Sequence, residues 1–438
     1  MKPKWNELDE YTFDNYVADF RLSLSSQEYV LRKGIFDTEL LRVKAHNKKN
    51  LSWKEGINKF SMLNTEEKRV SQGLMSGAYP KHMAVKNYHR YDETSATELP
   101  NSIDWRDYNI ITPVKDQGAC GSCWAFAAAE IIESYVAKKS GLLSTLSIQQ
   151  MVSCSSNPYK CGGNGGCDGS ISQLGWQYVI DFGGIYSDYQ YPYTSGYTNP
   201  GQSLNCSVIS DRATPVAIIS DYVDVPSNNY DAAINALANI GPLSVVVSAD
   251  HWGAYETGIF NGCDLSTNAV LDHGVVLVGY GSENGQSYYL VRNSWGTEYG
   301  ESGYIRLARS DNESSICGID TSPQEGTGCA MNSSIPVTVC GTCGILYNPS
   351  YVIGANTYSG QSYFSPTESP TYKIQNVTDD KIPSSVSSEN IVVPILSSMI
   401  ALLVIFSTYL LYLVYKKNDI IRKGSNHESS VLLAMRKL

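Results

Sequence analysis

The first hundred residues of this 438-residue chain hold no cysteine, although eleven follow, at 120, 123, 154, 161, 167, 206, 263, 317, 329, 340 and 343. Whatever thiol or disulfide chemistry the protein has therefore begins after that stretch. The opening "MKPKWNELDEYTFDNY" also lacks the apolar core that a signal peptide requires. Clusters of Lys and Arg are missing from the body of the chain and the net charge is -10, which argues against nucleic acid as a partner. Histidine is scarce as well. Only His251 and His273 lie between Cys123 and residue 391, so any imidazole chemistry in that span rests on one of two rings. No internal repeat is evident.

What is present describes a globular body with a membrane signal behind it. The chain is 42% hydrophobic and 17% charged, enough to bury a core. An odd number of cysteines in an oxidising compartment implies five bridges and one reactive thiol left over. Sequons at Asn205, Asn312, Asn332 and Asn376 fit that compartment. Residues 391–415, "IVVPILSSMIALLVIFSTYLLYLVY", carry no charge and exceed the roughly 20 residues that a spanning helix needs. Lys416, Lys417, Arg422 and Lys423 follow directly, which places the tail 416–438 in the cytoplasm and the body on the lumenal or outer side, as in a type I membrane protein. That orientation implies a signal peptide upstream of Met1. In the tail, "ESSVLL", 428–433, resembles an acidic dileucine signal and points to endosomal or lysosomal sorting, with the cell surface as the alternative.

Residues 1–98 are charged and helical in pattern, with Tyr29, Ile35, Phe36, Leu40 and Val43 recurring at three- and four-residue steps. Near Leu99 the composition changes, and glycine, tyrosine and cysteine become frequent. "WAFAAAEIIESYVAKKSG" reads as a helix that Gly141 ends, which sets Cys123 at a helix start. Later segments, "LSVVVSA", "HGVVLVGYG", "SYYLVRNSW" and "GYIRLAR", read as antiparallel strands. The expected class is thus α+β, a helical lobe followed by a sheet lobe over 99–322. From 323 to 390 the chain turns to Ser, Thr, Asn, Pro and Gly with three cysteines, and reads as a stalk holding a small disulfide knot.

"QGACGSCWAF", 117–126, admits three readings: a redox dithiol, half of a zinc site, or a structural cysteine beside a nucleophilic one. The zinc reading needs "CGTC" at 340–343, across a long gap, in a compartment that oxidises thiols. The redox reading expects a preceding strand in a βαβ pattern and leaves the downstream motifs unexplained. A nucleophile needs a thiolate, which the N–H groups of a helix start favour at Cys123. His273 heads a predicted strand, where a rigid backbone can hold its ring as general base; His251 reads as a loop residue. Asn293, in "VRNSWG", can hold the other imidazole nitrogen, with Trp295 shielding that bond from water. Gln117 and the backbone N–H of Cys123 are the candidate oxyanion donors.

These motifs, "QGACGSCWAF", "LDHGVVLVGYG" and "VRNSWG", occur in order, and the chain resembles the cathepsin L-like branch of the papain family of cysteine proteases over residues 28 to about 322. The resemblance implies a two-lobed papain-like fold, a helical N-terminal inhibitory prodomain over 1–98, and catalytic roles for Cys123, His273, Asn293 and Gln117. It also implies protein and peptide substrates, the prodomain and cystatin-like inhibitors as partners, and no metal or organic cofactor. In the prodomain, Glu28, Arg32, Phe36, Val43 and Asn47 fall in step with one family pattern, and Gly56, Asn58 and Phe60 with the next. Glu39 stands where the family has Asn, and Met62 where it has Asp.

By the same resemblance Cys120 pairs with Cys167, Cys154 with Cys206 and Cys263 with Cys317. Cys161, Cys329, Cys340 and Cys343 remain, with three pairings open. Val246, Leu271, Gly274, Ser322 and Ile171 are placed around the pocket for the second residue before the cleaved bond, which is therefore apolar. Gly169, Ser170, Asp272 and Trp295 complete the expected substrate-binding set, Ser170 replacing the second of two glycines that meet the substrate backbone. A dipeptidase would need a histidine-bearing inserted loop, and residues 154–206 contain no His, so an endopeptidase is expected. The rival reading is a membrane-anchored adhesin that keeps the fold as a binding platform, with little turnover.

Overall fold

Two capped helices open the chain. Thr12 and Asn15 form a capping box at α1 (Phe13–Asp19), and Ser25 and Glu28 form another at α2 (Ser26–Asn47), each satisfying N–H groups that a helix start leaves unpaired. The periodic residues of α2 turn Phe36, Leu40 and Val43 inward, where they meet Phe13, Tyr16 and Ile57 in one apolar cluster. These elements come from a computed structural model that describes residues 2–70, 99–206, 213–266, 269–310, 312–323, 326–329 and 335–360. The expected spanning helix, the cytoplasmic tail, most of the expected stalk, and Asn332 and Asn376 lie outside the described residues. Among the described residues no helix is long and apolar enough to cross a membrane. Asn205 and Asn312 are both exposed.

After α2 the chain supplies β1 (Trp53–Glu55), an extended turn through Phe60, and α3 (Thr65–Val70). The next region begins with β2 (Ile103–Asp104) and three helices, α4 (Cys123–Ser140), α5 (Ile148–Cys154) and α6 (Ser172–Phe182). Gly141 ends α4 in the left-handed conformation, φ 75°, which a residue without a Cβ adopts at no steric cost. Trp124, Phe126, Ile131, Met151, Trp176 and Val179 from these helices share one core.

The strands that follow are β3 (Ala217–Ile218), β4 (Asp221–Asp224), β5 (Leu243–Val247), β6 (Tyr255–Phe260), β7 (His273–Glu283), β8 (Gln286–Arg292) and β9 (Tyr304–Ala308), with the short α7 (Tyr230–Asn235) between β4 and β5. Then come β10 (Cys317–Asp320), β11 (Val337–Cys340), β12 (Ser350–Ile353) and β13 (Asn356–Thr357). The main sheet runs β1-β6-β9-β8-β7-β5-β12-β4, with β2 on β7. Its inward residues, among them Leu243, Val245, Val275, Leu277, Tyr289 and Val291, build a second core. β1 is the first strand in this order, so the N-terminal region joins the sheet by backbone pairing, Trp53 opposite Gly258.

Two expectations need correction here. The stretch assigned to a stalk from 323 returns to the body: β12 pairs with both β4 and β5, burying Tyr351 and Val352. The folded body therefore extends past 322 to β13. Five disulfides form, and Cys120–Cys167 and Cys154–Cys206 are among them. Cys263, however, bonds Cys343 and not Cys317. Cys317 stands opposite Cys340 in the antiparallel register of β10 and β11, and the two are bonded across that ladder. Cys161 bonds Cys329.

Candidate active site

The start of α4 is fixed from two sides. On one, the Cys120–Cys167 bond is joined by a bond from the Gly121 N–H to the Cys167 carbonyl at 2.9 Å, and the Trp124 indole donates to the Gly166 carbonyl at 3.0 Å. On the other, β7 carries a glycine at 274, where a Cβ would stand 3.3 Å from the Trp124 Cα. That close approach brings the Gly274 N–H to 3.4 Å from the Cys123 sulfur, to which it donates. Cys123 takes no part in the five disulfides and is 4% exposed. Burial pushes its thiol up to about 12; the Gly274 N–H pulls it down, Asp272 pushes it up, and the N–H groups of Trp124 and Cys123 pull it down. Desolvation thus outweighs the helix start in this prodomain-bound state.

His273 is the first residue of β7, fully buried, and its Nε2 lies 2.7 Å from Asn293 Oδ1. Asn293 follows β8, the neighbour of β7, with its own N–H donating to the Gly303 carbonyl at 3.0 Å. The Ser294 N–H also donates to Asn293 Oδ1, at 2.8 Å. An amide oxygen only accepts, so Nε2 carries the hydrogen and Nδ1 is left as the basic nitrogen. Trp295 stacks on the imidazole with 4.8 Å between ring centroids and 25° between planes. Trp252 stands edge-on to the same ring at 6.2 Å. His251 is an exposed turn residue.

Gln117 is fully buried and held at both ends of its amide. Ser294 Oγ donates to Oε1 at 2.7 Å, and Nε2 donates to the Cys120 carbonyl at 2.9 Å, while the backbone N–H reaches the Ser294 carbonyl at 2.8 Å. Asn293, Ser294 and Trp295 thus contact the imidazole and the Gln117 amide from one short segment. The Ser294 contribution was not anticipated, although it sits inside the same "VRNSWG" motif.

One cavity contains both Cys123 and His273, and Ser170, Ile171, Val246, Asp272 and Gly274 line it with them. Gly162, Ser172 and Gly326 also line it, and sequence reasoning named none of these three. Gly169 lies beside it in a left-handed turn, φ 85°, its carbonyl accepting from the Gly165 N–H at 2.7 Å. Two expected wall residues stand behind or beside this lining. Leu271 is fully buried with Leu265, Ala269 and Val339, in a cluster against which the cavity residue Val246 packs. Ser322 follows β10, its N–H bonded to Asp320 Oδ1 at 2.8 Å, because the chain makes the β10–β11 excursion before it returns to the sheet. Asp272 is buried, its Oδ1 accepting from the Ala249 N–H at 2.8 Å, and burial pushes its carboxyl well above the usual range. No group of side chains suited to a metal ion occurs among the described residues.

The N-terminal region reaches this site directly. Phe60 meets the Trp295 ring edge-on at 5.1 Å, Lys59 pairs with Asp116 at 2.6 Å next to Gln117, and Asn58 Nδ2 donates to the Gly253 carbonyl at 2.6 Å. Arg32 pairs with Glu67 at 2.5 Å and donates to the Met62 carbonyl at 3.3 Å, at the position where the resembled family has an acid.

Comparison with known proteins identifies two family regions in the chain. Residues 99–327 match the papain family cysteine protease family, and residues 13–67 match the cathepsin propeptide inhibitor domain. The chain is 37% identical to the cysteine proteinase RD21A of Arabidopsis thaliana over 77% of its own length, and spans 65% of that relative. It is 36% identical to cathepsin S of Bos taurus over 68% of this chain and 86% of that one. Among solved structures, digestive procathepsin L2 from Tenebrio molitor larval midgut superposes with a TM-score of 0.61 at 29% identity, covering 78% of this chain and 98% of that one. Procathepsin L 3 from the same source gives a TM-score of 0.60 at 30% identity, covering 80% of this chain and all of that one.

Proposed function

The chain belongs to the papain family of cysteine proteases and carries that family's propeptide inhibitor domain, and from this premise we propose that it is a zymogen whose mature form cleaves internal peptide bonds through Cys123, His273 and Asn293. His273 Nδ1 takes the thiol proton, and the Cys123 sulfur attacks the substrate carbonyl to give a tetrahedral oxyanion. Gln117 Nε2 and the Cys123 N–H donate to that oxyanion. As the tetrahedron collapses, the C–N bond breaks and the imidazolium returns its proton to the leaving amine, leaving a thioester that water hydrolyses with the same imidazole as base. Asn293 Oδ1 holds the ring through Nε2–H throughout, and Trp295 keeps water from that bond.

The observation that carries this reading is that His273, held by Asn293 at 2.7 Å, lines one cavity with Cys123. Ile171 and Val246 in its wall support an apolar residue at the second position before the cleaved bond. The test is hydrolysis of a fluorogenic dipeptide with Val before Arg by acid-activated protein, beside a Cys123→Ser control. Thiol-dependent turnover absent from the control is expected. Silence from folded, processed protein sinks the reading in favour of a binding platform.

The membrane-anchored, lumenal or extracellular placement belongs to the same proposal. Supporting it are the uncharged run 391–415, the basic residues behind it, five disulfides suited to an oxidising compartment, and exposed sequons at Asn205 and Asn312. Alkaline carbonate extraction of membranes tests the anchor, and glycosidase digestion tests the sequons. Release of the full chain into the soluble fraction, or no mobility change, counts against each in turn.

A further inference from the structure

The cavity beside Cys123 has a wall that none of the catalytic motifs supplies. Gly326 lines it together with Gly162, and the two belong to segments far apart in sequence. Three residues beyond Gly326, Cys329 is bonded to Cys161, and the Gly162 N–H donates to the Gly328 carbonyl at 3.0 Å. On the opposite side Gly326 abuts the sheet lobe: a Cβ there would fall 1.5 Å from the Leu271 carbonyl oxygen. A Cβ on Gly162 would fall 2.5 Å from the Gly326 carbonyl oxygen and 2.9 Å from Ile171 Cγ2. The backbone of Gly326 therefore fills the gap between Leu271, two residues before the catalytic histidine, and Gly162 on the loop after α5.

A wall of this kind differs from one made of side chains. A Met or Leu wall yields by changing rotamer, whereas backbone pinned by a disulfide on one side and by van der Waals contact on the other does not. The remaining walls are equally committed. Ser172 Oγ donates to the Trp124 carbonyl at 3.1 Å and is bonded to Ser244 Oγ at 2.9 Å, and Ser170 Oγ lies 3.4 Å from Asn157 Nδ2. Only Ile171 and Val246 offer branched apolar surface.

We propose that Gly326, tethered by the Cys161–Cys329 disulfide, is a specificity-determining element that bounds the substrate pocket and restricts the second residue before the cleaved bond to short aliphatic side chains such as Val, excluding Phe. This rests on the protease reading above and narrows the apolar preference stated there. No bond changes in the wall during turnover. Its effect is steric, and it acts on substrate binding before the thiol attacks.

The test uses the full chain after acid activation, with fluorogenic peptides that differ only in Val or Phe at that position. Calorimetry of Cys123→Ser protein with the matching dipeptidyl amides, which offer no electrophile and meet no thiol, reads the pocket independently of cleavage. In the native protein Val is expected to exceed Phe by roughly tenfold or more in kcat/KM, the scale on which apolar pockets discriminate size. In Cys161→Ala/Cys329→Ala protein the ratio falls toward one through a lower KM for Phe, while kcat for the Val peptide holds. Should that variant fail to fold, two glycines inserted between Gly328 and Cys329 keep the bridge but slacken the wall, and the same change is expected. Equal use or equal binding of the two side chains by the native protein overturns the proposal, as does a preference that survives in the variants. Loss of the protease reading looks different: no Val peptide is turned over, yet the amides still report whether Val outbinds Phe.

Discussion

Phe60 of the prodomain stands edge-on to Trp295, 5.1 Å between centroids at 70°, and Trp295 is the ring that stacks on His273. Inhibitory region and His273 are thus separated by a single indole. Phe60 is 5% exposed, and truncating a buried Phe costs about 3–5 kcal/mol where the cavity does not collapse. Phe60→Ala is expected to speed alkylation of Cys123 by iodoacetamide in the full-length zymogen at neutral pH by at least about tenfold. Lys59→Ala removes a partly exposed ion pair and should change that rate much less. Equal effects from the two variants would show that the aromatic contact does not hold the prodomain.

In the proposed mechanism Asn293 acts through His273, which its Oδ1 meets at 2.7 Å. Asn293→Ala is expected to lower kcat by about a hundredfold, the scale of an acid–base group losing its orientation, with KM nearly kept. A merely structural role predicts something else: lower melting temperature and a raised KM together. Steady-state kinetics beside thermal unfolding separates the two, since the Ser294 N–H bond to Asn293 Oδ1 lies outside the reacting atoms.

Two carboxyls link the stability of the prodomain to pH. Arg32 holds the Glu67 carboxyl below its ordinary 4.5. Burial pushes Glu39 up, but Arg42 and Lys68 outweigh it and leave that carboxyl lowered too. A carboxyl lowered in the folded state adds stability that is complete above 4.5 and is lost as pH falls through the lowered value. The prodomain is therefore expected to release more readily below pH 4.5. In Glu39→Gln/Glu67→Gln protein, release at neutral pH should be faster and its acid dependence flatter, as read by the rate of Cys123 alkylation across pH. Parallel curves for the two proteins would sink this account.

How much was legible in the sequence follows from which signals were local. The α4 helix, its glycine stop, and the strands that carry His273 and precede Asn293 were readable because each rests on a contiguous run. Cys120–Cys167 and Cys154–Cys206 followed from the family resemblance. Cys263–Cys317 did not hold, because a hairpin sets Cys317 opposite Cys340 and leaves Cys343 for Cys263. β12 was missed for a related reason: "SYVI" is four residues long and sits in a Ser-, Asn- and Pro-rich stretch, and only its partners β4 and β5 make it a strand. Gly326 left no trace at all in pattern or propensity. Its role comes entirely from the backbone that surrounds it.

Ser170 tests whether a replaced backbone glycine costs activity. It lines the cavity, but its hydroxyl lies 3.4 Å from Asn157 Nδ2, on the side of its own loop. Ser170→Gly is therefore expected to change kcat/KM by no more than about twofold, the range of substitutions that lose one long hydrogen bond directed away from the reacting atoms. A large gain in turnover would instead mean that this side chain restrains the cleft.

Arg292 offers the sharpest stability test, because it is 1% exposed and ends β8. Its Nη2 stands 3.0 Å from Glu130 Oε1 on α4, and Lys115 pairs with Glu133 at 2.6 Å one turn further along that helix. Burial pushes the Glu130 carboxyl up, while Arg292 and Lys115 pull it down. Arg292→Met leaves that carboxyl buried with the nearer of its two cations gone, and breaking a buried pair in this way costs roughly 3–5 kcal/mol. Removing both charges in Glu130→Gln/Arg292→Met should recover much of the loss, because the penalty lies in the orphaned charge and not in the absent pair. Urea unfolding of the single and double variants decides the matter. If the double variant is as unstable as the single, the network acts through shape and hydrogen bonding at the α4–β8 contact, and the charge on Glu130 is not what Arg292 is there to balance.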